Sequence, residues 1–544
     1  MPRPLTAVRL ARAHRAARGA LLCLAILLSA ALVTGCVAFP HGAYWPRYES
    51  HLAPSAGPAG AGAAPVPDWS SPVQAEALRG RLRGAVARRW QDEGLADSAR
   101  AMGAGAGKWV YGSAMQTLVW FYVDPVTYGD LVVSGIESLR VALDDQQFCA
   151  CFAEAADAEK RAQLAAALEI LSLKARAAHI TFSWQATRWL DVALEKNRAI
   201  LGLPDGAVVA EFLFGATDAL DPYTRFLTPE MHRGYRREMA GVYTGIGAEV
   251  VVRGTRVVLG DIFADGGAAK AGLATGDEIV RIGSDPVAGL GRKDVSRRLR
   301  GKQGTPVVLL VRTGGEGDPR PVTVVRSRVH VPSVRGVAML ADEPGTGYLR
   351  LTSFKSGTER ELRKGVADLS GRGARRLVLD LRGNPGGALL EAIGTAGVFL
   401  DGGRVIETRG RTFGATWKYD VPVLARQAWA GPLVVLVDGR TASAAEVLAA
   451  ALARHKRARL VGERTYGKGA AQIYMGISGA ESAVSVTVAR VYGPDDVCIE
   501  GTGLAPDDVV ASPAEAPACV ADDPVVRAAV EMLCRDPVLS APPR

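Results

Sequence analysis

Residues 376–492 alternate between short apolar runs and loops that lead into helix-period stretches, and this alternation restricts the fold more than any other feature. The run Arg376–Leu381 leads through the loop Arg382–Gly387 into a helix at 388–399. The run Leu433–Val437 leads through Asp438–Ala442 into a helix at 443–456. A third run, Arg459–Gly462, is followed by the loop Glu463–Gly469 and another strand, and 481–492 has the alternation of a long period-2 strand. Strand–loop–helix units of this kind specify an α/β layering. They place loop residues at the carboxyl ends of strands, where reactive groups usually sit.

With 544 residues the chain exceeds a single core. Residues 76–239 read as a helical N-terminal domain, with Ala/Leu/Glu/Arg-rich stretches such as 158–175 and a helix at 208–219. Residues 240–330 change character. Glycine and valine dominate, with strand-like Ala248–Val252 and Thr255–Leu259, a helix at 292–300 and a strand at Pro306–Arg312. Residues 331–510 carry the α/β pattern, and 511–544 form a C-terminal extension.

The N-terminus has its own logic. Residues 1–35 hold five arginines and no acid, more than half of the net charge of +9. Those arginines precede an apolar run, Ala20–Val33, too short for a comfortable bilayer span, which is the layout of a secretory signal. The run ends Leu32-Val33-Thr34-Gly35-Cys36, which resembles a bacterial lipobox; that resemblance implies lipidation of Cys36 and a tether at 36–75, rich in Ala, Gly, Pro and Ser. Elsewhere no dense basic block with interleaved aromatics occurs, so nucleic acid is not an expected partner. Of seven cysteines, Cys23 lies in the leader. Cys149, Cys151, Cys498, Cys519 and Cys534 form an odd set in which Cys519–Cys534 is a local pairing candidate. The Cys149-x-Cys151 spacing does not fit a zinc knuckle, so no metal or other cofactor is expected.

Three loops can carry chemistry. Ser443, in Thr441-Ala442-Ser443-Ala444-Ala445-Glu446, stands at the mouth of a helix, where the Ala444 N–H is free to donate to an oxyanion. Read alone, such a serine is a helix cap. A serine nucleophile needs a base. His455 lies twelve residues further along the same helix, roughly 18 Å at helical rise, and cannot reach it. Lys468, in the glycine-flanked loop Tyr466-Gly467-Lys468-Gly469, becomes a base if burial removes its proton, and Gln472 lies where it can orient the amine. Read alone, Lys468 is a turn lysine. The glycines of Asp380-Leu381-Arg382-Gly383-Asn384-Pro385-Gly386-Gly387 can expose backbone N–H groups, with Gly386 or Gly387 as second oxyanion donor.

Together these segments resemble the C-terminal processing, or tail-specific, serine peptidases. Gly462-Glu463-Arg464-Thr465-Tyr466-Gly467-Lys468-Gly469 follows Ser443 with Lys468 25 residues on, and Gln472 four residues later. Asp380–Gly387 resembles the family's DLR-x-N-x-GG loop. Thr487–Tyr492 with Gly501–Asp507, and upstream Tyr122–Val126, Leu220–Tyr223 and Gly245–Ala248, match in the same order.

The resemblance implies a multidomain α/β fold, with a crotonase/ClpP-like α/β protease core, an inserted β-rich PDZ domain at 240–330 and a helical N-terminal domain. It implies a Ser443/Lys468 dyad working through an acyl-enzyme. It makes Tyr243, Thr244, Gly245, Ile246, Gly247 and Ala248 the loop that holds a peptide's terminal carboxylate while the peptide adds as a strand. Expected partners are protein substrates with accessible C-termini, the membrane through the lipid, and an adaptor or second copy of the chain. The expected location is the periplasmic side of a bacterial membrane. The competing function is a lipid-anchored PDZ scaffold that binds C-termini without chemistry. Such a scaffold has no use for Ser443, Lys468 and Gln472 together. Residues 146–207 have no counterpart in the simplest family members.

Overall fold

The computed structural model describes residues 67–513 and 520–535. The leader, Cys36, most of the tether and Cys519 lie outside those residues.

The α/β half is built on a six-stranded sheet ordered Val334–Met339, Thr346–Leu351, Arg376–Asp380, Leu433–Val437, Arg459–Gly462, Asp508–Val509. Its first pair is antiparallel and every later pair parallel. Successive side chains on a strand point to opposite faces. Leu377, Leu379, Leu433, Val435 and Val437 pack with Leu362, Val366, Ile393, Ala396 and Leu448 of the helices Thr358–Gly371, Leu389–Ala396 and Ala444–Arg454. Val378, Val434, Leu436 and Val461 face the other way, onto Val525, Val526, Ala529 and Leu533 of the helix Pro524–Arg535. Both faces are covered, which is why these strands read as unbroken apolar runs.

That last helix corrects the sequence reading. The segment taken as an extension beyond residue 510 supplies the layer that closes one face of the central sheet. Without it, four apolar side chains of the sheet would face water.

A second sheet centres on the strand Ala483–Tyr492, which pairs antiparallel with Ala470–Gly476, Arg225–Leu227 and Arg404–Arg409. The helices pack against it. Tyr128–Asp144 and Asp205–Asp218 are buried on nearly every side and form the centre of this part. A Cβ at Gly215 would lie 2.4 Å from the Cβ of Ser138, so glycine lets the two helices meet. Val484, Val486 and Val488 belong to the same core as the helices. The helical segment is therefore not closed at residue 239; it shares its interior with a strand from the far end of the chain. It also starts earlier than expected. The helix Pro72–Arg89, capped by the Ser71 side chain and opened by proline, begins inside the stretch read as tether, and Trp69 just before it is buried.

Residues 248–325 form a small β unit with strand order Ala248–Arg253, Arg256–Ile262, Glu278–Ile282, Pro306–Arg312, Arg320–Val325. The helix Arg292–Leu299 packs against its edge strand Ala248–Arg253. A two-stranded ribbon, Val242–Gly245 with Ser327–His330, joins this unit to the rest.

Candidate active site

Ser443 sits between a strand and a helix in a backbone conformation that few residues adopt, with φ 57° and ψ −120°. Its N–H donates to Glu446 Oε2 at 2.8 Å. The next residue, Ala444, opens the helix, so its N–H has no partner four residues back. A serine held in this strained turn lines the cleft at the positive end of the helix.

The Asp380–Gly387 loop is fastened against this turn. Ala442 donates its N–H to the Asn384 carbonyl at 2.9 Å, and Gly383 donates to Asp438 Oδ1 at 2.9 Å. The Asn384 side chain donates to the Leu351 carbonyl at 2.8 Å and accepts the Gly386 N–H at 2.9 Å. The two nominated glycines therefore differ. The Gly386 N–H is engaged inside the loop, and a Cβ on Gly386 would lie 2.8 Å from the Ser443 Cβ. Gly386 provides close approach. Gly387 is exposed and lines the cleft with Ser443, and no hydrogen bond from its N–H occurs among the described residues.

Lys468 reaches the same cleft from the loop after Arg459–Gly462. Its ammonium nitrogen lies over the ring of Tyr223, 4.6 Å from the centroid. Its backbone N–H donates to Glu446 Oε2 at 2.8 Å. The Gln472 amide nitrogen donates to Thr487 Oγ1 at 3.1 Å, which leaves its carbonyl oxygen as an acceptor. Ser443, Ala444, Gly386, Gly387, Lys468 and Gln472 all line one cleft of about 3550 Å³.

Two residues given no role on the sequence hold this arrangement. Glu446 is fully buried and accepts from Ser443, Lys468, Gly467 (2.7 Å) and the Thr465 hydroxyl (2.6 Å). Burial pushes its carboxyl above the usual range while these four donors pull it back. Its position three residues after the serine, where a helix-capping glutamate sits, was the available signal. Tyr223 belongs to a recognised segment, Leu220–Tyr223, but its place beneath Lys468 depends on tertiary structure.

The same cleft extends to the small β unit. Ile246, Ala248 and Val250 on one side and Ser296, Leu299 and Arg300 on the other line it between the edge strand and the helix. Gly247 has φ +83°, and a Cβ there would lie 2.4 Å from Gly266 Cα, so the turn at Gly245–Ala248 requires glycine. The Ile246 and Gly247 carbonyls accept from Ala268 (2.6 Å) and Phe263 (2.9 Å). The Tyr243 hydroxyl donates to the Ala248 carbonyl at 3.4 Å. Thr244 and Gly245 are engaged in the ribbon with Arg328 and Ser327.

Among the described residues no group of three or more His, Cys, Asp or Glu side chains could hold a metal ion. None of their helices is long and apolar enough to cross a membrane. Cys149, Cys151, Cys498 and Cys534 carry no disulfide within the described residues.

The model of peptidase family S41 matches residues 345–510. A carboxy-terminal-processing protease of Bartonella bacilliformis is 31% identical over 60% of this chain and 76% of its own length. A carboxyl-terminal-processing protease of a Picosynechococcus species is 35% identical over 53% of this chain and 70% of its own. Among solved structures, a photosystem II D1 C-terminal processing protease is 26% identical, covers 79% of this chain and 97% of its own, and has a TM-score of 0.40.

Proposed function

This chain belongs to the carboxy-terminal-processing proteases of peptidase family S41 and is a serine-type peptidase acting on C-terminal tails, and from that premise we propose that Ser443 and Lys468 are its catalytic dyad. Neutral Lys468 takes the proton from Ser443 Oγ as that oxygen attacks the peptide carbonyl carbon. The carbonyl oxygen, now negative, is stabilised by the N–H groups of Ala444 and Gly387. Lys468 returns its proton to the leaving amine nitrogen as the C–N bond breaks. Water then attacks the Ser443 ester carbonyl carbon as Lys468 takes its proton, and Lys468 hands that proton to Ser443 Oγ as the acyl C–O bond breaks, releasing the free acid and restoring the dyad. Gln472 orients the lysine through its carbonyl oxygen, and the Tyr223 ring covers the amine from water.

The observation that carries this reading is the strained Ser443, φ 57°, at a helix start in one cleft with Lys468. Backbone strain of this kind costs about 1–3 kcal/mol and persists where function uses it.

The small β unit acts in this proposal as an inserted PDZ domain on a crotonase/ClpP-like core. A substrate tail adds along Ala248–Arg253, against Arg292–Leu299, with its carboxylate at Tyr243–Ala248, and thereby controls access to Ser443. The sequence of the leader supports an export route ending in lipidation of Cys36, which would hold the enzyme at the periplasmic side of a membrane. The scaffold alternative has no observation in its favour.

The test is cleavage of a protein bearing an apolar C-terminal tail by purified Ser443→Ala and Lys468→Ala. Each variant is expected to lose activity by about 10⁴-fold or more. Near-parental turnover by either folded variant would remove that residue from the dyad.

A further inference from the structure

The loop that carries Lys468 is moulded by the turn Cys498–Leu504. Gly501 donates to the Gly467 carbonyl at 2.9 Å, Thr465 donates to the Leu504 carbonyl at 3.0 Å, and Leu504 donates to the Thr465 hydroxyl at 2.7 Å. Contact is close enough that a Cβ on Gly469 would lie 2.2 Å from the Glu500 nitrogen. Within this turn one carboxylate points back at the lysine loop: Glu500 Oε2 accepts the Gly469 N–H at 2.7 Å. The two amides at Lys468 and Gly469 are thus held by two different carboxylates, Glu446 and Glu500.

Glu446 takes four donors, and Glu500 takes the Gly469 N–H. Glu500 is also surrounded by groups that bear on its charge. Asp221 and Tyr223 face it from the turn before Arg225–Leu227, Glu446 from the helix head, and Lys468 from the moulded loop. Arg464, at the rim, donates to the Thr502 carbonyl at 3.1 Å. Burial, reinforced by Asp221 and Glu446, raises the Glu500 carboxyl to about 7, while the Gly469 N–H and Lys468 oppose that rise. The interaction with Lys468 is reciprocal: an ionised Glu500 stabilises the ammonium form of the lysine.

Resting on the dyad reading above, we infer that Glu500 is a positioning residue for Lys468, which fixes the lysine loop through Gly469 and sets the pH at which the lysine becomes a base. When Glu500 is protonated, Lys468 gives up its proton more readily. When Glu500 is ionised, Lys468 holds its proton to higher pH. The carboxyl and the amine exchange influence through charge alone, and no proton passes between them in the catalytic cycle.

Glu500→Gln separates the two roles, because the amide oxygen can still accept from Gly469 and the charge is gone. In the full chain, the ascending limb of kcat/KM against pH is expected to move to lower pH by about one unit, with the plateau kept. Glu500→Ala should move the limb similarly and lower the plateau about tenfold, and Gln should restore that plateau. Competitive acetylation of Lys468 by acetic anhydride across pH, read by mass spectrometry, reports the same ionisation in any folded variant, active or not. An unmoved limb and an unmoved Lys468 titration in Glu500→Gln would overturn the inference. Equal plateau losses in Gln and Ala would reduce Glu500 to a packing residue. Failure of the dyad is a separate outcome, read from Lys468→Ala, and leaves a different signature: activity that persists without the lysine.

Discussion

Ser443 and Lys468, 25 positions apart in the chain, donate their backbone N–H groups to the same oxygen, Glu446 Oε2, each at 2.8 Å. The other oxygen takes Thr465 and Gly467. A carboxylate is acceptor-only and can satisfy four donors; an amide cannot. Glu446→Gln turns an NH2 group toward two of these donors, and Glu446→Ala leaves all four unpaired. Both are expected to lower stability, alanine by about 3 kcal/mol, and to cut kcat by about 100-fold or more. Denaturant midpoints and kcat, measured together, check this. A variant with parental kcat would show that the shared acceptor is dispensable for aligning the serine and the lysine.

Gly386 and Gly387 should fail in different ways when each is replaced by alanine. At Gly386 (φ +97°) the new methyl lies 2.8 Å from the Ser443 Cβ, the Ala442 oxygen and the Ala444 nitrogen, so it displaces the proposed nucleophile and a proposed oxyanion donor together. At Gly387 (φ +142°) it lies 2.0 Å from the Phe354 carbonyl oxygen, so the loop must leave its bridge to that residue. Gly386→Ala should lower kcat by about 10²–10³-fold with the smaller of the two falls in melting temperature, since its methyl meets its neighbours at 2.8 Å rather than 2.0 Å. Gly387→Ala should lower both. The comparison requires kcat and thermal unfolding on the same preparations, and identical profiles for the two variants would contradict it.

How much of this was legible follows from which contacts are local. The strands Leu433–Val437 and Arg459–Gly462 were readable because both faces are buried and the runs are apolar, save for the exposed Arg459 that opens the second. Ser443 and Lys468 could be nominated because each sits in a short motif whose spacing is a property of the chain, and the fold brings both to one cleft. The helix Pro524–Arg535 has a clear amphipathic period, with Val525, Val526, Ala529, Val530 and Leu533 on one side, yet periodicity cannot say which surface it will cover. The shared core of the helices with Val484, Val486 and Val488 is of the same kind: a contact between segments hundreds of residues apart. Glu446 closes the serine motif and Glu500 lies just before Gly501–Asp507, but the loops that fold back on them come from elsewhere in the chain, so the sequence assigned neither a role.

Glu500 also makes a prediction about stability alone. Its carboxyl is raised from an ordinary 4.5 to about 7, with burial the leading cause. A group raised in this way contributes stability that is fully present below its unfolded value and is lost as pH rises through the folded one. The parental enzyme should therefore lose stability between about pH 4.5 and 7 from this group, and Glu500→Gln should not. The melting temperature of the variant relative to the parent is expected to climb across that window and level off above it. A constant difference from pH 4.5 to 8 would mean that the carboxyl does not titrate there.

Arg335, on the first strand of the central sheet, bridges to the small β unit: it meets Glu249 Oε2 at 2.9 Å and Asp261 Oδ2 at 3.1 Å, and its guanidinium lies 5.5 Å from the Phe263 ring centroid. Glu249 and Asp261 lie on the edge strand and its neighbour, next to the groove proposed for the substrate tail. Arg335 therefore ties the small β unit, the proposed tail-binding part, to the central sheet. Partly buried pairs of this type are worth about 1 kcal/mol, enough to bias the placement of a small unit without deciding whether it folds. Arg335→Ala should leave cleavage of a short internal peptide within about twofold of the parent and change kcat/KM for a tail-bearing protein by about fivefold. Hydrogen exchange across 249–263 should quicken in the same variant. If both substrates respond equally, Arg335 acts on the catalytic sheet itself and the bridge does not couple the two parts.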